Sequence, residues 1–135
     1  MIEQHKLIAE GAGAVAVAAA MFNKVPIEGK NVVCVVSGGN IDVTILDRVI
    51  KRGLQTAGRI SQLVIESPDR PGQLFQISRV IAENGGNIVA VHHDRSNTNT
   101  NITGCFMHID METRNFEHIK KIKEAITKAG FKIWE

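Results

Sequence analysis

The chain has 135 residues, enough for one domain or for a small domain with an appendage. An apolar fraction of 44% excludes a disordered chain, and a net charge of +2 with mixed acids and bases leaves no electrostatic footprint for nucleic acid. No apolar run is long enough to span a membrane, and the N-terminus lacks the order of a secretory signal, so a cytoplasmic protein is expected.

Residues 1–53 read as helix, strand, turn, helix. The alanines between Glu3 and Asn23 favour a helix. Gly11 and Gly13 give it a side with almost no bulk, and Pro26 and Gly29 mark a loop. Asn31 to Val36 is a continuous apolar run, the pattern of a strand buried on both faces. Ser37-Gly38-Gly39-Asn40 follows at its carboxyl end, a usual ligand position in an open α/β sheet, although alone the motif marks only a tight turn. Asp42 leads into a helix with Ile45, Leu46, Val49 and Ile50 on one side. One doubly buried strand needs sheet neighbours that this segment does not supply. Residues 1–53 therefore read as the edge of a larger α/β domain whose other strands lie outside this chain. Residues 54–59 have the small, polar composition of a linker.

From Ile60 to Glu135 the pattern changes to βαββαβ. Ile60 to Glu66 reads as a strand and Gly72 to Glu83 as a helix with Leu74, Ile77, Val80 and Ile81 on its apolar stripe. Asn84-Gly85-Gly86 ends that helix. Asn87 to Asp94 is a second strand, Arg95 to Asn101 a polar loop and Ile102 to Met111 a third strand. Asn115 to Lys128 is a second helix on the stripe Phe116, Ile119, Ile122 and Ile126, and Phe131 to Glu135 is a short strand. The order predicts two helices on one face of a four-stranded antiparallel sheet, an α+β ferredoxin-like fold.

The segment Ser67 to Leu74 joins the first strand of this unit to its first helix. Pro68 and Pro71 keep the backbone extended, and Gly72 permits angles that a Cβ forbids. The N–H groups of the helix start suit a carboxylate. Asp69 and the side-chain oxygen of Asn87 are acceptors for an ammonium group. From composition alone the segment is no more than a connection.

At these residues the chain resembles a known family. Asp69-Arg70-Pro71-Gly72-Gln73-Leu74, followed by Glu83-Asn84-Gly85-Gly86-Asn87-Ile88, is similar to the ACT domain, a βαββαβ module that senses amino acids. Val91-His92-His93-Asp94-Arg95 resembles the second strand of ACT domains attached to threonine ammonia-lyases (threonine dehydratases). Upstream, Ile8 to Ala14 and Val36 to Asp42 resemble the C-terminal end of the fold-type II pyridoxal-phosphate domain of those lyases. The resemblance implies an effector site at Asp69, Arg70, Pro71, Gly72, Gln73, Leu74, Asn87 and Ile88. It implies pyridoxal phosphate in the intact enzyme, with Ser37 at the pyridine nitrogen, Glu10 beside the ring, and Gly38 and Gly39 in the same turn.

The same resemblance implies a regulatory segment of an enzyme that converts L-threonine to 2-oxobutanoate and ammonia, a reaction of isoleucine biosynthesis. It also implies a homodimer or higher homo-oligomer formed through the ACT part. The alternative is a free-standing amino-acid-binding or dimerisation module without catalysis. Lys6 and Lys24 lack the motif around the Schiff-base lysine, so no catalytic residue and no bound cofactor are expected in this chain by itself. The Asn- and Thr-rich stretch from Ser96 to Asn101 departs from the family's usual composition, and effector contacts are not carried over to it.

The remaining polar residues read as structural. Cys34 and Cys105 lie in apolar runs and are expected as reduced core residues. His92 and His93 point to opposite faces of a strand. His92 and Asp94 share a face, but two ligands are too few for zinc, so no metal site is expected. His108 is expected on the solvent or dimer face, Lys120, Lys121 and Lys123 on a solvated helix face, and Trp134 in packing. His118 is expected on the outer side of the second helix, neutral to substitution.

Overall fold

The computed structural model describes residues 1–96 and 103–134. The chain divides into two compact units, Met1–Val49 and Ile50–Glu135.

In the first unit, helix α1 covers Ile2–His5 and helix α2 covers Val15–Met21. The single helix expected from Glu3 to Asn23 is thus interrupted. Lys6 adopts a left-handed conformation after α1, and a turn over Gly11 to Ala14 precedes α2. The run 31–36 forms no strand, correcting the helix-strand-helix reading of this segment. A strand exists only through a ladder with a neighbour, and this run has none among the described residues. Its apolar side chains stay out: Val33 is 90% exposed and Val35 73%. Asp42 opens helix α3, Val43–Thr56, by accepting from the backbone N–H groups of Thr44 (2.7 Å) and Ile45 (3.3 Å) and from the Thr44 hydroxyl. These hydrogen bonds, the Thr44 hydroxyl first, hold its carboxyl below the usual aspartate range. Residues 54–56, expected as linker, belong to α3, and the boundary between the units falls earlier in that helix.

The second unit is the expected βαββαβ. Its elements are β1 Ile60–Pro68, α4 Gln73–Glu83, β2 Asn87–Asp94, β3 Gly104–Glu112, α5 Phe116–Lys128 and β4 Lys132–Trp134. The sheet order is β2-β3-β1-β4 with every described pairing antiparallel. Alternation along β1 puts Leu63, Ile65 and Ser67 on the face covered by the helices. On β3 the same face carries Cys105, Met107, Ile109 and Met111. Ile77 and Ile81 of α4 and Ile122 and Ile126 of α5 close over them, all fully buried. Burying a side chain of this size stabilises by roughly 1.5–3 kcal/mol, so this single layer carries the unit.

The other sheet face carries Gln62, Val64, His92, His108 and Asp110. Gln62 donates to Asp110 (2.7 Å), and the rings of His92 and His108 lie 6.0 Å apart. Phe106 is buried on that face beneath Trp134, edge to face at 5.3 Å.

Turn chemistry fixes the helix ends. Asn115 caps α5 by accepting from the His118 N–H at 2.9 Å. α4 ends at Asn84, and Gly85 takes a left-handed φ of 82°. A Cβ on Gly86 would come within 2.7 Å of Ile81 Cγ2 and 3.0 Å of Ile122 Cδ1, so glycine there lets α4 and α5 meet. His118 is not on the outer side of its helix. It is 5% exposed, on the same stripe as Ile122 and Ile126. Its Nδ1 accepts from the Arg114 N–H (3.1 Å), which leaves Nε2 to donate to the Asn84 carbonyl at 2.7 Å. The ring therefore joins the end of α4 to the start of α5.

Candidate functional site

Three features set the loop after β1. The Asp69 N–H donates to the Thr103 carbonyl (2.8 Å), which fixes the loop to the start of β3. Buried Ser67 donates to Gln73 Oε1 (3.3 Å), which ties the strand end to the first residue of α4. Gly72, with φ 88°, is the N-cap of α4, and no side chain caps the helix. A Cβ on Gly72 would meet nothing within 4 Å. Glycine is thus required there by the backbone angle, and the space beside it is open. Asp69, Arg70, Pro71, Gly72 and Leu74 are exposed and Gln73 is half-buried.

Asp69 is engaged by Arg95 through both carboxylate oxygens, Nε to Oδ2 at 2.8 Å and a second guanidinium nitrogen to Oδ1 at 3.2 Å. His93 Nε2 stands 3.7 Å from the same Oδ1. Cys105 lies beneath, its thiol donating to the Ser67 carbonyl at 3.4 Å. Burial, with a smaller contribution from the Asp69 carboxylate, pushes the Cys105 thiol above its ordinary range. The ligating atoms of Asp69, His93 and Cys105 all lie within 4.8 Å of one another. The His92/His93/Asp94 reading missed this set. It needs cross-strand register: His93 stands opposite Met107 and Ser67 opposite Cys105, which puts all of them on the helix-covered face.

Asn87 and Ile88 are not part of this place, and the expected grouping is corrected. β1 and β2 both run antiparallel to β3 and hence parallel to each other. Asn87 stands opposite Glu112, which also faces Ile60, whereas the loop leaves β1 at Pro68, opposite Gly104. The strand between those ends spans about 26 Å at roughly 3.3 Å per residue. The Asn87 amide donates to Glu112 Oε2 (2.9 Å). That end of the sheet borders a groove of about 630 Å³ lined by Gln55, Ile60, Val89, Met111 and Phe116 among others. The residues of β2 that reach the loop are instead His93 and, just beyond the strand, Arg95.

In the first unit the structure brings Glu10 to the glycine turn. The Glu10 N–H donates to the Gly38 carbonyl at 3.1 Å. A Cβ on Gly38 would lie 2.6 Å from Glu10 Oε1, and one on Gly13 would lie 1.6 Å from the Ser37 carbonyl oxygen. Gly13 is required by the lack of space against the Ser37 backbone, and Gly38 by its φ of 78°. Ser37, Gly38 and Gly39 are exposed and Glu10 is half-buried.

The ACT domain model matches residues 61–128. The chain belongs to the ACT domain family. The ACT match falls within the second unit. Beyond it, the similarity extends over nearly the whole chain. An L-threonine ammonia-lyase of Thermotoga maritima is 39% identical over 133 residues, 98% of this chain and 33% of that protein. One of Geobacter sulfurreducens is 40% identical over 131 residues, 97% of this chain and 33% of that protein. The L-threonine dehydratase biosynthetic IlvA of Halalkalibacterium halodurans is 30% identical over 135 residues, the whole of this chain and 32% of that protein. The chain spans about a third of the length of these relatives. No helix of the described residues is long and apolar enough to cross a membrane.

Proposed function

We propose that this chain is the regulatory segment of a pyridoxal-phosphate-dependent threonine ammonia-lyase of the cytoplasm, and that its ACT unit binds a small amino acid. The observation that carries the reading is the open backbone at Gly72 beside Asp69, on a chain similar throughout to proteins named for that activity. The N–H groups that begin α4 receive the carboxylate. Asp69 attracts the ammonium group in competition with Arg95. Binding regulates an enzyme only if the effector prefers one of its conformations.

Two copies complete the site in this reading. β2 is an edge strand. A second copy paired antiparallel along it would carry its Asn87 and Ile88 to the Asp94 end of the first copy. Residues about 26 Å apart within one chain then serve one pocket. In the intact enzyme Ser37, Glu10, Gly38 and Gly39 would hold the pyridoxal phosphate, a role supported by the Glu10 N–H bond to the Gly38 carbonyl that brings them together. The cofactor supplies the electron sink for β-elimination. The hydroxyl of Ser37, a weak acid, would offer the ring a neutral hydrogen-bond partner rather than a proton.

The test is calorimetric titration of the amino acids against the parent, Asp69→Ala and Gly72→Val, each checked for folding by circular dichroism. Loss of a charge-assisted hydrogen bond of roughly 1.5–3 kcal/mol weakens Asp69→Ala by about tenfold or more. Gly72→Val forces a β-branched residue to positive φ and is expected to bind more weakly still. Parent-like affinity in both folded variants would place the effector elsewhere.

A further inference from the structure

We propose that Asp69, His93 and Cys105 form a site for a thiophilic divalent cation, zinc foremost. The donor set is a thiolate, an imidazole and a carboxylate, the three ligand types that zinc takes in proteins. They come from three separate elements, the loop after β1, the end of β2 and the start of β3. Their ligating atoms already lie within 4.8 Å of one another, and the His93 to Asp69 separation is 3.7 Å. Zinc bonds of about 2.0–2.3 Å in a tetrahedron place ligand atoms roughly 3.3–3.7 Å apart, so a small contraction completes the site. The sheet register holds His93 and Cys105 on one face of adjacent strands, and the Asp69 N–H bond to Thr103 holds the loop over them. His93 and Asp69 open to solvent and give the ion a way in, while the buried thiol forms the floor.

On binding, the cation replaces Arg95 at Asp69, and that exposed guanidinium moves to water. The Cys105 thiol gives up its hydrogen bond to the Ser67 carbonyl and its proton, which passes to solvent. The Sγ–metal bond forms as the S–H bond breaks, with no change of oxidation state. Three protein ligands leave the fourth position to water or a small donor. The site shares Asp69 with the effector loop but does not depend on the effector reading, because the test reads the metal directly.

The test uses Co²⁺ as a spectroscopic stand-in for Zn²⁺, on the full chain carrying Cys34→Ala so that Cys105 is the sole thiol. The expected result is a thiolate-to-cobalt charge-transfer band with tetrahedral visible bands, saturating at one ion per chain and bleached by Zn²⁺. Exposed His93→Gln, which leaves the core intact, is expected to weaken Co²⁺ binding at least about tenfold, and Asp69→Asn similarly. Cys105→Ser removes the charge-transfer band. Absence of the band in Cys34→Ala, or a band of undiminished affinity in His93→Gln, overturns the proposal, whatever the outcome of the amino-acid titration.

Discussion

Replacing His118 by alanine tests the packing of the ACT unit more sharply than any core truncation. The ring is 5% exposed and uses both nitrogens, donating to the Asn84 carbonyl (2.7 Å) and accepting from the Arg114 N–H (3.1 Å). Each hydrogen bond contributes about 0.5–1.5 kcal/mol, and a carbonyl left unpaired at a covered helix end costs more. With the lost burial of the ring, the expected destabilisation is about 2–3 kcal/mol. For a unit of this size that lowers the melting temperature by roughly 8–24 °C. Urea and thermal unfolding, followed by circular dichroism, measure it. His118→Gln keeps an N–H donor on a longer side chain and is expected to recover part of the loss. An alanine variant within about 0.5 kcal/mol of the parent would refute the reasoning, since that is the range of an ordinary surface substitution.

Two further outcomes follow from the same structure. Glu66 accepts from Trp134 Nε1 (2.8 Å) and pairs with Lys132 (3.1 Å), and these contacts, Trp134 first, hold its carboxyl below the ordinary 4.5. A depressed carboxylate stabilises fully above its unfolded value and loses that contribution as pH falls through the folded one. The stability difference between parent and Trp134→Phe is therefore expected to shrink as pH drops below 4.5, and urea midpoints at neutral and acid pH would show it. Amides of Val32 to Val36, which lie in no ladder, are expected to exchange with solvent well before those of Leu63 to Ile65 in β1. Comparable protection at both stretches would mean that the upstream run pairs in solution.

What was legible in the sequence was local. The stripes Ile77/Ile81 and Ile122/Ile126 and the stop at Asn84-Gly85 each depend on a few neighbouring residues, and the elements form where these signals stand. What depended on partners was not legible. Asn31 to Val36 has the composition of a strand, but a ladder is a property of two segments. Placing Asn87 beside Asp69 ignored that a βαβ unit sets its two strands parallel, so the start of one cannot meet the exit of the other. The Asp69/His93/Cys105 set was hidden for the same reason: its members are far apart in sequence, and only the strand register brings them together. His118 had a signal that was passed over. It stands four and eight residues before Ile122 and Ile126, on the buried stripe.

The order β2-β3-β1-β4 also governs how the unit comes together in time. β1 is central, yet both of its neighbours come later in the chain: Ile60 waits for Glu112 and Val64 for Trp134. Until then its hydrogen-bonding edges are open on both sides while its apolar face is already made. Pairings at such separations are slow to close. During synthesis the nascent β1 is thus open to capture by a neighbouring chain. Lys132 and Glu66, paired across the β1–β4 ladder, give that late closure a charge-matched register.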